Sequence, residues 1–285
     1  MTTVDALVKE LTTSLLAAGV SDPRAEARDI LAALCDASRF WPSANPNHVV
    51  APDTVRRARD AVLRRARGTP FAYAVGRSAF RHLTLEVDER VLIPRQETEQ
   101  LVDLVLETRR EKEGGIAVDV GTGSGAIALA LATEGRFEHI IATDISLDAV
   151  HIARRNVERY VEASRTPIEF RVGAGLSPLT ADTVDVLVCN PPYIAFAEAR
   201  ELPASVRDWE PVSALFSGSD GLDVTRDIVH SAPPYLRAGG IIAFEVDMRR
   251  ASQVATLLAS EGSFQDVRTC ADLTGRDRFV LAARC

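Results

Sequence analysis

The stretch Ile-Ala-Val-Asp-Val-Gly-Thr-Gly-Ser-Gly-Ala-Ile-Ala-Leu-Ala-Leu-Ala, residues 116–132, decides the fold that we expect for this chain. Its first five residues are mostly apolar, which is typical of a buried strand. Three alternating glycines follow, and the last seven residues have the alanine and leucine content of a helix. Strand, glycine turn and helix in this order predict a unit of an α/β fold.

The glycine turn also predicts a binding site for a nucleotide-like ligand. Glycine lets the backbone turn tightly and approach a ligand closely, and the start of the following helix offers free N–H groups. A second apolar run, residues 139–143, ends in Asp144, a position at which an acidic side chain binds ribose hydroxyls. The candidate cofactor-binding residues in this region are Gly121, Thr122, Gly123, Ser124, Gly125 and Asp144.

The turn by itself leaves two classes of chemistry open. The pattern Gly121-x-Gly123-x-x-Ala126 satisfies the looser dinucleotide fingerprint of hydride-transfer enzymes. The alternation of the three glycines, with Asp119 two residues before the first, resembles motif one of S-adenosylmethionine-dependent methyltransferases. A second motif is needed to decide between an oxidoreductase and a methyltransferase.

That second motif is the tetrapeptide Asn190-Pro191-Pro192-Tyr193, which directly follows the apolar run 184–189. Two successive prolines end the strand, because proline supplies no ladder hydrogen bond. In a parallel sheet, ligands bind outside the carboxyl ends of the strands. There the Asn190 side-chain carbonyl and the Pro191 backbone carbonyl can accept both hydrogens of one NH2 group, while Tyr193 covers its flat face. The alternative is a plain strand-ending turn, since Asn-Pro is a common loop signal.

Further stretches, residues 68–80, 91–99, 209–223 and 272–278, resemble the peptide chain release factor glutamine N5-methyltransferase family over nearly the whole chain. The resemblance implies an α/β fold with a doubly wound, seven-stranded, mostly parallel sheet of the class I methyltransferase type, whose last strand is antiparallel. It also implies a small all-helical N-terminal domain and S-adenosylmethionine as the cofactor. The expected reaction is methylation of the side-chain amide of the glutamine in the Gly-Gly-Gln motif of release factors.

For this reaction we expect Asn190, Pro191, Pro192 and Tyr193 to be catalytic, with Asn190 also among the cofactor-binding residues. The chain departs from the family pattern at Gln96, where the family usually has proline. It also has Ala174 in place of an acidic residue that the resemblance places on the adenine amine. Glu97 and Thr98 belong to the family's linker motif, and they either lie over the site or only begin a helix.

The 285 residues are enough for two domains. We expect a helical N-terminal substrate-docking domain at residues 1–80, a hairpin linker at 81–98 and the methyltransferase domain at 99–285. Asp22 and Pro23 predict a helix start in the first domain. Near the end, residues 265–271 and 277–283 are joined only by a tight turn, which permits an antiparallel hairpin but no crossover helix.

Composition narrows the class of protein further. No stretch approaches the about 20 apolar residues of a membrane span, and residues 1–5 do not resemble a signal peptide, so we expect a soluble cytoplasmic protein. The four cysteines are scattered and the five histidines share no spacing, which indicates neither a disulfide framework nor a metal site. A net charge of −7 disfavours stable binding to nucleic acid.

Four alternatives remain open at this point. The substrate glutamine could belong to a ribosomal protein, or the clamp could hold the amino group of adenine or cytosine in nucleic acid. An oxidoreductase would rest on the dinucleotide fingerprint alone, and a noncatalytic cofactor-binding module would leave the tetrapeptide unexplained. The arginines of residues 56–67 form either a solvated helix face or a docking surface for an acidic protein or for RNA close to it.

Overall fold

The structure, a computed structural model, describes residues 1–160, 164, 166–180 and 182–285. The helices are α1 Val4–Ala17, α2 Pro23–Leu34, α3 Trp41–Ala44, α4 Pro52–Ala66, α5 Phe71–Val75, α6 Gln96–Thr108, α7 Ala126–Glu134, α8 Leu147–Arg159, α9 Ala204–Arg207, α10 Val212–Leu215, α11 Asp223–Ser231 and α12 Ala251–Glu261. The strands are β1 Arg77–Phe80, β2 Leu83–Glu86, β3 Ile116–Val120, β4 His139–Asp144, β5 Ile168–Val172, β6 Val184–Cys189, β7 Leu236–Glu245, β8 Phe264–Ala271 and β9 Asp277–Arg284.

These elements form two compact units. The first comprises residues 1–77, 87–89 and 203–209, and the second comprises residues 78–86, 90–202 and 210–285. The second unit therefore begins with most of the β1–β2 hairpin and contains the large sheet. The three-part division at residues 80 and 98 stays a prediction.

The described residues of the second unit build a seven-stranded sheet in the order β5-β4-β3-β6-β7-β9-β8. Strands β3 to β7 pair in parallel, whereas β9 runs antiparallel to both β7 and β8. The expected sheet and its antiparallel closing hairpin are confirmed. The strand order reverses between β3 and β6, which makes this the switch point where open α/β sheets bind ligands.

Strand register places three predicted site residues next to one another. Val120, the last residue of β3, pairs with Thr143 of β4 on one side and with Cys189 of β6 on the other. The glycine turn, Asp144 and Asn190 come next along the three strands. They therefore meet at one edge of the sheet.

Local sequence explains why the central elements form. The inner strand β3 is buried from Ala117 onward, and α7 is buried from residue 126 to residue 132, which agrees with their apolar composition. Both elements were predicted from the sequence, and both are confirmed. Strand β6 also ends where the prolines of the tetrapeptide begin, as predicted.

The first unit is helical and has its own apolar core. Helix α1 buries Val4, Leu7, Leu11 and Leu15, a three-to-four residue spacing that lines one helix face. Helix α2 begins at Pro23 with the Asp22 side chain accepting from Ala25 N, so the predicted helix start is confirmed.

Charges on α4 are largely neutralised by carboxylates of the same unit. Four of its arginines form ion pairs: Arg56 with Asp53, Arg59 with Glu10, Arg64 with Glu89, and Arg65 with Glu26. These pairs favour the solvated helix face over a docking surface for an acidic partner, because a paired guanidinium attracts a second carboxylate less strongly.

Two features of the described residues bear on other functions. None of the described helices is long and apolar enough to cross a membrane. The same part of the chain contains no group of three or more His, Cys, Asp or Glu side chains placed to hold a metal ion.

Candidate active site

A cleft lies at the switch point of the sheet, with an empty volume of about 980 Å³ that is partly open to solvent. The walls nearest the strand ends are formed by the predicted residues Gly121, Gly123, Asp144, Asn190, Pro191 and Pro192. The segment after β5, residues 173–175, also lines the cleft, and so do Ile145, Ser146 and Phe216. Residues from three separate segments that the sequence predicts as parts of a site therefore line one cleft.

The three glycines of the turn have different surroundings. Gly121 and Gly123 have φ of +75° and +54°, and a Cβ on either would meet no atom within 4 Å. Positive φ favours glycine, and the open space leaves the backbone accessible to a ligand. Gly125, at φ +81°, is packed instead, because its Cβ would lie 3.1 Å from the Ala153 Cβ on α8. Its role toward the cofactor stays a prediction.

Gly125→Ala is expected to destabilise the protein by about 2–3 kcal/mol, because the left-handed conformation and the contact with Ala153 both oppose a side chain. Gly262→Ala is the matched control, since Gly262 has φ +82° and open space around its Cβ position. It should cost about 1–2 kcal/mol from backbone strain alone. Urea unfolding measures both free energies, and equal losses would show that the contact contributes nothing.

Thr122 and Ser124 are buried beneath the turn. The Thr122 hydroxyl donates to Asp119 Oδ2 at 2.6 Å, and the Ser124 carbonyl accepts from Asn156 Nδ2 at 2.8 Å. Asp119 Oδ2 also accepts from Ala128 N, so this carboxylate ties the turn to the first residues of α7. The Thr122 side chain is therefore placed to hold the turn in shape, and the Ser124 backbone is tied to Asn156 of α8.

Asp144 lies at the end of β4 with its carboxylate against the glycine turn. Its Oδ2 accepts from Gly123 N at 2.9 Å and its Oδ1 from Ser146 N at 2.8 Å. Burial raises the pKa of Asp144, and the backbone donors oppose that rise. The carboxylate both braces the turn and faces the cleft, where a ribose would find an acceptor.

Asn190 follows β6 and makes a hydrogen bond away from the cleft. Its Nδ2 donates to Thr98 Oγ1 at 3.1 Å, and Thr98 Oγ1 donates to Glu245 Oε2 at 2.6 Å. Thr98 lies in the first turn of α6 and Glu245 ends β7, and both are buried. Thr98 thus lies at a helix start and bonds Asn190, but neither Glu97 nor Thr98 is among the residues that line the cleft, so a direct contact of either with a ligand stays a prediction.

Pro191 and Pro192 form part of the cleft wall, whereas Tyr193 is not among the described residues that line it. Pro191 is buried and Pro192 is half-buried, and both line the cleft. Burial raises the pKa of the Tyr193 hydroxyl, with the nearby Glu245 carboxylate adding to the effect. Tyr193 is therefore a neutral aromatic group at ordinary pH.

Two buried acids were not predicted as site residues, Glu210 and Glu245. Glu210 is 5% exposed and pairs with Arg95 from the segment before α6. The segments around residues 95 and 210 are two separate stretches that resemble the same family, and this ion pair brings them together. The only sequence signal for the Arg95–Glu210 ion pair is that each segment carries a charged residue within a stretch that resembles the family.

Three features of the structure fit binding of the expected cofactor in this cleft. Asp119 Oδ1 is buried under the glycine turn and has no hydrogen-bond partner among the described residues. Gly121 and Gly123 leave their backbone open to the cleft, and Asp144 stands one strand away. Ala174 lines the cleft between Gly173 and Gly175, so no acidic side chain stands at the position where the family resemblance places one on the adenine amine.

Two known protein families match separate parts of this chain. The family described as "PrmC N-terminal domain" matches residues 6–76, and "Methyltransferase small domain" matches residues 95–203. The hMettl16 catalytic domain in complex with the MAT2A 3'UTR hairpin 6 has a TM-score of 0.56 and 18% identity over 84% of each chain, which shows a common fold.

Two curated relatives carry the name release factor glutamine methyltransferase. The protein from Moorella thermoacetica is 40% identical over 95% of this chain and 94% of its own length. The protein from Mycolicibacterium smegmatis is 37% identical over 100% of this chain and 99% of its own length. Identity at this level over nearly the whole of each protein shows the family. The chain is a methyltransferase and belongs to the release factor glutamine methyltransferase family.

Proposed function

We propose that this methyltransferase transfers a methyl group from S-adenosylmethionine to the side-chain amide nitrogen of the glutamine in the Gly-Gly-Gln motif of peptide chain release factors. The observation that carries the proposal is the position of the Asn190 amide. It lines the cleft at the end of β6, next to the strand that leads into the glycine turn, with its NH2 group already bonded to Thr98. Its carbonyl is thereby left to accept a hydrogen bond from a substrate.

Binding geometry explains why an amide substrate needs such a site. The nitrogen of a glutamine amide is a poor nucleophile, because its lone pair is delocalised into the carbonyl. Asn190 Oδ1 and the Pro191 carbonyl would accept its two hydrogens and hold the nitrogen in one orientation, with Tyr193 packed against its plane. Correct positioning of this kind contributes a large part of the rate enhancement in such reactions.

S-adenosylmethionine is the methyl donor and, when bound, supplies an electrophilic methyl group on a sulfonium. Gly121, Gly123 and Asp144 would hold it from the β3 and β4 side of the cleft. Asn190 stands across the switch point from Asp144, on the β6 side. The donor site and the acceptor clamp would therefore face each other across β3.

The helical first unit is the part that we assign to docking of the release factor. Its support is the match of residues 6–76 to the N-terminal domain of the same family. The chain's net charge of −7 argues against stable binding to a phosphate backbone, and we place the enzyme in the cytoplasm, where its protein substrate is used.

Methylation of a purified release factor tests the proposal. The protein is incubated with methyl-labelled S-adenosylmethionine and either a bacterial release factor or a ribosomal protein, and mass spectrometry locates the label. We expect a single labelled glutamine in the Gly-Gly-Gln motif, and none when that glutamine is replaced by glutamate. Labelling of only the ribosomal protein, or of nucleic acid, would overturn the substrate assignment.

A further inference from the structure

A network of three polar side chains, two of them buried, runs from the clamp into the sheet. We call it the Thr98 network, and it consists of Asn190, Thr98 and Glu245. Thr98 is 5% exposed and Glu245 is 1% exposed. In such surroundings an unmade hydrogen bond is costly, so the direction of each bond in the network is well determined.

The direction of the bonds follows from the number of protons available. A threonine hydroxyl carries one proton, and an ionised carboxylate can only accept. The Thr98 proton therefore points to Glu245, and Thr98 Oγ1 has only lone pairs to offer Asn190. Asn190 must then present its NH2 group to Thr98. As a result, its Oδ1 is turned to the opposite side and can accept a hydrogen bond from an incoming amide.

Protonation of Glu245 removes this constraint. A protonated carboxyl group can donate to Thr98 Oγ1, and the Thr98 proton is then free to point to Asn190. The Asn190 amide can rotate by half a turn and accept that proton with its own carbonyl. In the rotated state its NH2 group faces the substrate amide, so two donors meet and the clamp loses an acceptor.

We propose that Glu245, in its ionised form and acting through Thr98, is a positioning residue that sets the amide orientation of Asn190 needed for methyl transfer. The inference rests on the proposed function, because the oriented acceptor serves an incoming amide. It adds a requirement that the tetrapeptide alone does not contain. The clamp is competent only while a buried carboxylate on a different strand carries a charge.

The surroundings of Glu245 place its titration in an accessible range. Burial raises the pKa of Glu245 to about 7, and the hydrogen bond from Thr98 opposes the rise. The other groups that act on it or feel its charge are Glu97, Arg95, Arg278, Tyr193 and Cys189. Because the ionised form is the competent one, the rate of transfer should rise with pH through about pH 7.

Single-turnover methylation at saturating cofactor and release factor tests the network, with rates followed from about pH 5.5 to 9. Thr98→Val removes the hydroxyl while keeping the shape, and we expect it to lower the rate about tenfold, the effect of one lost hydrogen bond. Thr98→Ser keeps the hydroxyl and should restore most of the rate. Thr108→Val is the matched control on the same helix. Among the described residues, the Thr108 hydroxyl donates to the Val105 carbonyl within α6, so its loss should not affect Asn190.

Glu245→Gln separates positioning from a structural role. It should leave a lower rate with no rise near pH 7, and Thr98→Val should lose the rise as well, because Glu245 acts on Asn190 only through the Thr98 hydroxyl. A rise that persists in Glu245→Gln would belong to another acid, Asp119 for example, and would overturn the inference. A rate for Thr98→Val within twofold of the wild-type rate would also overturn it.

Infrared titration reads the carboxyl group without any methyl transfer. The carbonyl stretch of protonated Glu245 is identified by its loss in Glu245→Gln. In the wild-type protein this band should disappear as the pH rises through about 7, and in Thr98→Val it should disappear at a higher pH. If wild-type protein labels no amide but the infrared result holds, the proposed function fails and the network stands. If wild-type protein is active but the infrared band titrates far below pH 7, the inference about Glu245 fails alone.

Discussion

Asn190→Ala is expected to lower methyl transfer about a hundredfold or more while leaving the fold and most of the cofactor affinity intact. The Asn190 carbonyl is one of two acceptors proposed for the substrate amide, and its amide orientation is held by Thr98. Losing one positioned group in a partly buried site costs about 2.7–4 kcal/mol in the barrier, by analogy with oxyanion-hole donors. Each 1.4 kcal/mol is about tenfold in rate.

Single-turnover rates at saturating cofactor and release factor measure this loss, and calorimetry with S-adenosylhomocysteine measures the affinity of the cofactor site. Asn190→Asp is an informative companion, because it keeps an acceptor but cannot donate to Thr98 and adds a charge near Glu245. We expect it to be impaired as well. If the alanine variant transferred methyl groups at a near-normal rate, the tetrapeptide would serve only to end β6.

Asp144→Ala is expected to produce the opposite pattern, with weak cofactor binding and a smaller loss of rate at saturation. Its carboxylate is the acceptor proposed for the ribose, and it also holds Gly123 N of the turn at 2.9 Å. Hydrogen bonds to a charged group contribute about 1.5–3 kcal/mol each, so the cofactor dissociation constant should rise about a hundredfold or more.

Asp148→Ala is the matched control for Asp144. Asp148 lies four residues after Asp144 in the sequence and is largely exposed on α8. Its replacement by alanine removes the same charge from the same region. Its cofactor affinity should stay within about twofold, since an exposed carboxylate contributes little. Equal weakening by both variants would mean that Asp144 acts only through its charge, and the ribose assignment would fall.

Much of the site follows from short segments of sequence. Residues 116–132 predict a strand, a turn and a helix because propensity and turn chemistry act within a few residues of one another. The prolines after Cys189 end β6 for an equally local reason, since each lacks the N–H that a further strand residue would donate. Asp144 was also located by its distance from the turn along the chain.

Other features of the site depend on contacts that no local pattern contains. The difference between Gly121, which faces open space, and Gly125, which packs on Ala153, depends on where α8 lies. The ion pairs of α4 likewise depend on carboxylates from α1, α2 and the segment after β2. The arginine spacing alone allowed both a solvated face and a docking surface.

The sequence by itself determined the class of fold, the turn proposed to hold the cofactor and the tetrapeptide of the proposed clamp, since each consists of consecutive residues. Only the tertiary structure decided that β3 lies between β4 and β6, and that Thr98 and Glu245 support Asn190 from α6 and β7. The physical reason is that strand pairing and buried hydrogen bonds join residues up to 147 positions apart. Such partners are selected by packing and by the cost of leaving a buried polar group unpaired, which the order of residues along the chain does not display.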